Sequence, residues 1–347
     1  MTLNRIACVA VFVFAQGLAA ITAQVTAYTP QPSSNTVHLN VVVADKSGTL
    51  VPNLSQQDFT ILDNKRPQAA SSFKVVSSAQ EPVEVIILLD AVNTPFSLMN
   101  VQSIGVQKFL RLHEGKLDHP TTLAISTDKG TQIGQEPYDN GMVAADDLAQ
   151  NAAALRLING SYDRLLLSVR TLHQLTAYAA NYPGRKLVLW ISPGWPLISG
   201  ANVLLGSKQE EAVFNEVVSL STQMRSANMT LYNLNPVDEG ESLGSTNYYQ
   251  VFLNDIAKPS QVKLGNIGLQ VLAVQSGGLT IEGNSDIPGI ISRCLADAST
   301  WYEIDYDPPQ SAKPDEYHRI EVKVNHPGLT ARTRENYYAN PNVDPPR

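Results

Sequence analysis

The sequence predicts an α/β protein: a Rossmann-like, mostly parallel sheet with helices on both faces, flanked by a β-rich domain formed from the N- and C-terminal arms. Three observations carry this expectation. From Glu84 onward, short apolar runs alternate with stretches of helical period, the pattern of a parallel sheet covered on both sides. Before residue 82 and after residue 300 the period changes to the two-residue alternation of half-buried strands. The run Val85-Ile86-Ile87-Leu88-Leu89 ends abruptly in Asp90-Ala91-Val92-Asn93-Thr94, as a buried strand does when it delivers polar groups to the ligand-binding edge of a sheet.

The elements follow in order. Val37, Leu39, Val41 and Val43 alternate with His38, Asn40 and Val42, so a strand opens the N-terminal arm, and Asp45-Lys46-Ser47-Gly48 closes it with a turn. Further short strands are expected at 59–62 and 73–76, with Asp63-Asn64-Lys65-Arg66-Pro67 as a turn between them. The central domain, residues 82–300, should contribute strands at 83–89, 121–126, 186–192 and 229–234, and helices at 98–113, 142–157, 163–182 and 208–227. Leu165, Val169, Leu172, Leu175 and Ala179 carry the helical spacing most plainly. A shorter helix over 267–275 should stop at Gly277-Gly278, and Ser285 or Asp286 should cap the next, with Pro288 in its first turn. Strand alternation returns over 302–306, 319–324 and 329–333, in a C-terminal arm spanning 301–340. Neither arm offers enough strands for a good core alone, so the two are expected to pair into one β-sandwich with the central domain inserted between them.

Composition bounds the function. At 347 residues and 43% hydrophobic the chain can bury a large core. Arg5, the apolar run 6–15 and small residues ending in Ile21-Thr22-Ala23 form the layout of a secretory signal over 1–23, so the protein is expected to be exported to the periplasm, the cell surface or the medium. No later segment reads as transmembrane, and residues 24–81 form the N-terminal arm. The formal charge is −7, or −8 once Arg5 leaves with the signal, and no long basic run occurs, which excludes nucleic acid as the expected partner. Only Cys294 remains after the signal, so no intramolecular disulfide is possible, and a buried packing role is expected for it. The tail 341–347, rich in proline and asparagine, reads as flexible.

Asp90-x-Val92-x-Thr94 resembles the first segment of the metal-ion-dependent adhesion site of von Willebrand factor A domains, Asp-x-Ser-x-Ser, with Val92 in place of the first Ser. The span 36–340 is also similar to the von Willebrand factor A-related proteins common in acidobacteria. The similarity rests on Asp45-Lys46-Ser47-Gly48, Leu54-x-x-x-Asp58-Phe59, Ile87-Leu88-Leu89-Asp90, Gly184-Arg185-Lys186 leading into Trp190-Ile191-Ser192-Pro193-Gly194, Leu231-Tyr232-Asn233-Leu234-Asn235-Pro236, His318-Arg319-Ile320-Glu321-Val322 and Tyr337-Tyr338-Ala339. The resemblance implies that three loops converge on a cation. Ser161 would stand for the Thr of the second loop, while Pro193 stands where the third loop commonly has an acidic residue. Asp90, Thr94 and Ser161 are then the candidate metal ligands. One carboxylate and two hydroxyls make a poor cage for Mg²⁺ or another divalent cation, so the site is expected to bind weakly or to have lost its metal. In the bland alternative Asp90 caps the following helix or orders its own loop.

Asp90, Asn93, Thr94, Ser161 and Trp195 are the candidate ligand-binding residues at the top of the sheet. Trp195 is expected either as an exposed anchor or packed against a neighbouring helix. The segment 237–263, with Tyr248, Tyr249 and Phe252, is expected either as a recognition loop or as a short helix covering the core. The six histidines show no paired metal-binding spacing, and neither a Gly-x-Ser-x-Gly elbow nor a glycine-rich phosphate loop occurs. The function expected is therefore a non-enzymatic, adhesion-type module with a protein partner. The alternative is a metal-free structural or assembly component of an envelope complex, and a metal-dependent hydrolase is the remote third reading.

Overall fold

Alternating apolar residues at the N-terminal end produce β1 (Val37–Asp45), followed by β2 (Phe59–Asp63), β3 (Arg66–Gln68) and β4 (Ala70–Val76). The computed structural model describes residues 36–151, 160–196, 204–236, 248–309, 311 and 313–339, all within the unit Ser34–Arg347. The expected signal over 1–23, the tail 341–347 and the far end of the helix expected over 142–157 lie outside them.

The central part runs β5 (Val83–Asp90), α1 (Phe96–Leu110), β6 (Lys116–Thr127), β7 (Gly130–Ile133), β8 (Tyr138–Asn140), α2 (Gly141–Asn151) and α3 (Ser161–Ala179). It continues through β9 (Arg185–Ile191), α4 (Ser207–Ser226), β10 (Met229–Asn235), α5 (Leu269–Gln275), β11 (Thr280–Glu282) and α6 (Ile287–Leu295). The chain then returns to strands: β12 (Trp301–Tyr306), β13 (Glu316–Val324), β14 (Leu329–Arg332) and β15 (Asn336–Ala339). Asp286 caps α6 by accepting from the Gly289 N–H at 3.1 Å, and Pro288 occupies the first turn, where its missing N–H costs nothing.

The central sheet has the order β11-β10-β9-β5-β6-β7, with β8 also on β6. Its first five strands are parallel and its edge is antiparallel. The mostly parallel sheet covered on both faces is the architecture expected from the sequence. Every residue of β5 is buried, as a central parallel strand requires. Val85, Ile87 and Leu89 face a core completed by α1, α2 and α6, whereas Ile86 and Leu88 face a core completed by α3, α4 and α5. Alternation therefore turns Asp90 toward the α3 side. From β5 the chain crosses to β6 on one flank, and β9 occupies the other, so the strand order reverses at β5. That reversal opens a crevice beyond the carboxyl ends of β5 and β9.

Both ends of the chain contribute to each of two four-stranded sheets, β14-β1-β12-β4 and β15-β13-β2-β3. Leu39, Val41, Tyr302, Ile304 and Tyr306 from the first meet Ile61, Ile320, Val322 and Tyr337 from the second in a separate core. The outer face of β1 is not left to solvent, since Val42 joins the core of the central sheet together with Val76 and Trp301. A buried Asp297 ties the parts together. Its carboxylate accepts from Tyr232 Oη and Arg332 Nη2, both at 2.6 Å, and its carbonyl accepts from Arg185 Nη1 at 2.8 Å. The Arg185 guanidinium also lies over the Trp301 ring at 5.2 Å. Cys294 is buried on α6, and burial pushes its thiol up, as a packing role requires.

Helices α3 and α4 are clamped by His173, whose Nε2 lies 2.6 Å from Glu216 and whose Nδ1 lies 2.9 Å from Gln223. The Glu216 carboxylate raises this imidazole above its ordinary value near 6.5, against the opposing effect of partial burial. A raised histidine favours the folded state fully below about 6.5, and the benefit fades as pH climbs through the folded value. The melting temperature should therefore fall between pH 6 and pH 8 by more in the wild type than in His173→Gln, as thermal denaturation followed by circular dichroism can measure.

Candidate functional site

Asp90 ends β5 inside the crevice and is fully buried. Its Oδ1 accepts the backbone N–H groups of Val92 and Asn93, both at 3.0 Å, which folds the loop back on its own carboxylate. Its Oδ2 accepts from Asn93 Nδ2 at 2.8 Å, Trp190 Nε1 at 2.9 Å and Ser192 Oγ at 2.8 Å. The parallel register explains the last two partners. Leu88 pairs with Trp190 and Leu89 with Ile191, so the end of β9 lies beside the end of β5, and alternation turns Trp190 and Asp90 to the same face.

The cage extends outward from these contacts. Asn93 Nδ2 also donates to Ser168 Oγ at 2.8 Å, and Ser168 Oγ donates to the Arg164 carbonyl at 2.8 Å, which fixes α3 against the loop. The Trp190 ring meets Trp195 edge-on, with centroids 5.1 Å apart. Gly194 makes that packing possible. Its φ is +104°, a conformation that side chains disfavour, and an added Cβ would fall 2.1 Å from Gln270 Nε2.

Burial raises the Asp90 carboxyl, and hydrogen bonds from Asn93, Trp190 and Ser192 oppose that rise. Four of its five donors are N–H groups that can only donate, so the ionised form is the one that matches its surroundings. A hard cation needs carboxylate oxygens that are free to turn toward it. Both Asp90 oxygens are already committed, and the residues present do not fit a divalent ion. Among the described residues no group of three or more His, Cys, Asp or Glu is arranged to hold one.

The candidate ligands therefore separate. Asn93 and Thr94 are buried, and Thr94 Oγ1 lies 3.5 Å from Gln102 Oε1. Ser161 is exposed at the start of α3, and its hydroxyl meets only the Arg164 guanidinium at 3.5 Å among the described residues. The α3 residue that reaches the Asp90 loop is Ser168, two turns further on. Trp195 is not an exposed anchor but 3% exposed, which corrects that expectation in favour of packing. Of the segment 237–263, the part from Tyr248 lies within the described residues; there a 3₁₀ turn over Tyr248–Phe252 buries Phe252, and Ile256 beyond it is buried as well. Residue order alone assigns no site role to Trp190, Ser168 or Ser192, because only the β5–β9 register and the pitch of α3 bring them to Asp90.

No protein-family model matches the chain, and no curated protein matches it. Among solved structures it is similar to the SpRpn10 VWA domain, with 8% identity, 63% of this chain and 98% of that one covered, and a TM-score of 0.32. It is also similar to the manganese-loaded TRAP protein of Plasmodium vivax, with 10% identity, coverage of 76% and 96%, and a TM-score of 0.34. A third is the pilus adhesin SpaC from Lactobacillus rhamnosus GG, with 9% identity, 80% of this chain covered and a TM-score of 0.38. The chain spans about half the length of that adhesin, at 48%.

Replacing Asp90 with Ala strands four buried N–H donors, each costing about 1–3 kcal/mol when left unsatisfied. Asp90→Ala should therefore lose roughly 4 kcal/mol or more of stability in urea unfolding, well beyond an ordinary surface substitution.

Proposed function

We propose that the protein is an exported, non-catalytic protein-binding module of von Willebrand factor A type, in which the Asp90 carboxylate has become an internal knot and recognition no longer depends on a metal. The observation that carries this reading is the five-donor cage at the position where the adhesion-site resemblance would put a cation. Asp90, Asn93 and Trp195 then support the crevice from within, and contact with a partner falls to the rim around it. Phe96 opens α1 immediately after the Asp90 loop and is 62% exposed; Tyr162 and Leu166 sit on the first turns of α3 and are also exposed. Together with Ser161 they give the same end of the sheet an apolar, aromatic border of the kind that anchors protein interfaces. In this reading the two arms form one β-sandwich that carries the central domain and presents its rim outward.

A structural role in an envelope assembly is the second reading, favoured by the way the C-terminal arm is locked to the central sheet through Asp297. The two differ in which surface matters. Capture of a partner from envelope extract by the full chain should survive EDTA and be lost in the Phe96→Ser, Tyr162→Ser double variant. Capture abolished by EDTA would contradict the metal-free reading, and capture unaffected by the double variant would favour the structural role.

A further inference from the structure

The core between the central sheet, α1 and α6 does not close at the amino ends of the strands. A cavity of about 630 Å³ opens there, lined by Phe109 near the end of α1, Leu295 at the end of α6 and the first residues of β6. Val85 pairs with Thr121, so residues 116–118 of β6 run on past the start of β5. Asp90 stands at the opposite end of β5, which separates this cavity from the crevice described above.

One wall of the cavity is apolar. Val85 belongs to the buried core, and Phe109, Leu117 and Leu295 pack against that core while remaining partly exposed. The rim is charged: Lys116, His113 and Asp118 line it, and all three are exposed. Among the described residues the Lys116 ammonium has neither an ion pair nor a hydrogen bond.

His119 is the polar group inside. It lines the cavity and is 9% exposed, yet among the described residues its ring makes no hydrogen bond. Burial pulls this imidazole below its ordinary value, against the opposing effect of Asp118, so near pH 7 the uncharged ring offers one N–H donor and one acceptor. A ring held from water without a partner is costly unless something meets it. The neighbouring hydroxyls already donate elsewhere: Thr121 to the His119 carbonyl at 3.0 Å, Ser292 to the Pro288 carbonyl at 2.9 Å and Ser299 to the Ala296 carbonyl at 2.8 Å.

Volume, wall and rim together specify a ligand. Small-molecule sites span roughly 300–1,000 Å³ and combine apolar walls with a few placed polar groups. Lys116 and two imidazoles face the single acid Asp118, a balance that favours an anionic head over a cationic one. We propose that this cavity binds a small organic carboxylate with an apolar body. The body lies against Val85, Phe109, Leu117 and Leu295, the carboxylate accepts from the His119 N–H, and Lys116 supplies the opposite charge at the rim. The site is independent of recognition around the Asp90 crevice.

The test is isothermal titration calorimetry of the full chain with phenylacetate, its neutral analogue phenylacetamide and the cation phenethylamine, for wild type, His119→Leu and Lys116→Gln. His119→Leu removes a buried ring that has no partner, and Lys116→Gln changes an exposed side chain, so neither breaks a hydrogen bond or ion pair. Phenylacetate should bind the wild type saturably and more tightly than either analogue. His119→Leu should weaken it by roughly tenfold, the loss of one hydrogen bond to a charged group. Lys116→Gln should weaken it in the same direction and decides the matter should His119→Leu fail to fold. In an isotope-labelled sample, the methyl resonances of Val85, Leu117 and Leu295 should shift with phenylacetate while the Trp190 indole N–H does not. No saturable binding, equal affinity for phenylacetamide, unchanged affinity in the deciding variant, or a shift centred on Trp190 overturns the proposal.

Discussion

A carboxylate buried in the middle of an α/β core must be met on both oxygens, and the demand of Asp90 organises the carboxyl end of the central sheet. Removing an ion from water is costly enough that only dense hydrogen bonding holds it ionised. The donors come from four places: the loop after β5, the Asn93 side chain, the last residues of β9, and the residue just beyond them. Each imposes a geometric condition. The strands β5 and β9 must keep their register, the chain entering α1 must fold back, and α3 must present Ser168 to Asn93. A crevice that in an open α/β sheet serves ligands is here filled by the protein's own polar groups.

The second constraint is closure of the two chain ends on each other. Parallel strands need helical crossovers and remain inside the central unit, whereas the antiparallel arms need partners from far along the chain. They find them across the chain, with β1 between β14 and β12 in one sheet and β2 against β13 in the other, so that neither arm forms a sheet by itself. Asp297 then joins strands β9, β10 and β14 through Arg185, Tyr232 and Arg332.

Much of this fold was legible from residue order. Continuous apolar runs reveal buried parallel strands, and the shift of period near residue 82 marks where the central sheet begins. The short strands β7, β8 and β11 carry little apolar signal, because edge strands of a few residues are made by their neighbours more than by their own side chains. At the site, Asp90 itself was legible because a charge stands at the end of an apolar run. Its partners were not. Trp190 and Ser192 lie about a hundred residues away, and only the Leu88–Trp190 register brings them together. Of the two arrangements open to Trp195, packing is the one found, and residue order could not choose: nearness to Pro193-Gly194 says nothing about direction, and the left-handed backbone at Gly194 accompanies a turn that lays the indole on Trp190. Ser161 was assigned by analogy of loop order, but helix pitch gives the inward position to Ser168.

The most direct measurement of the central claim is the indole N–H resonance of Trp190 in an isotope-labelled sample titrated with Mn²⁺. If the Asp90 carboxylate is an ionised internal acceptor, that N–H should be strongly protected from exchange and keep its line width as Mn²⁺ is added. Selective paramagnetic broadening of the Trp190 signal, lost in Asp90→Asn, would place a cation on the carboxylate and contradict the account.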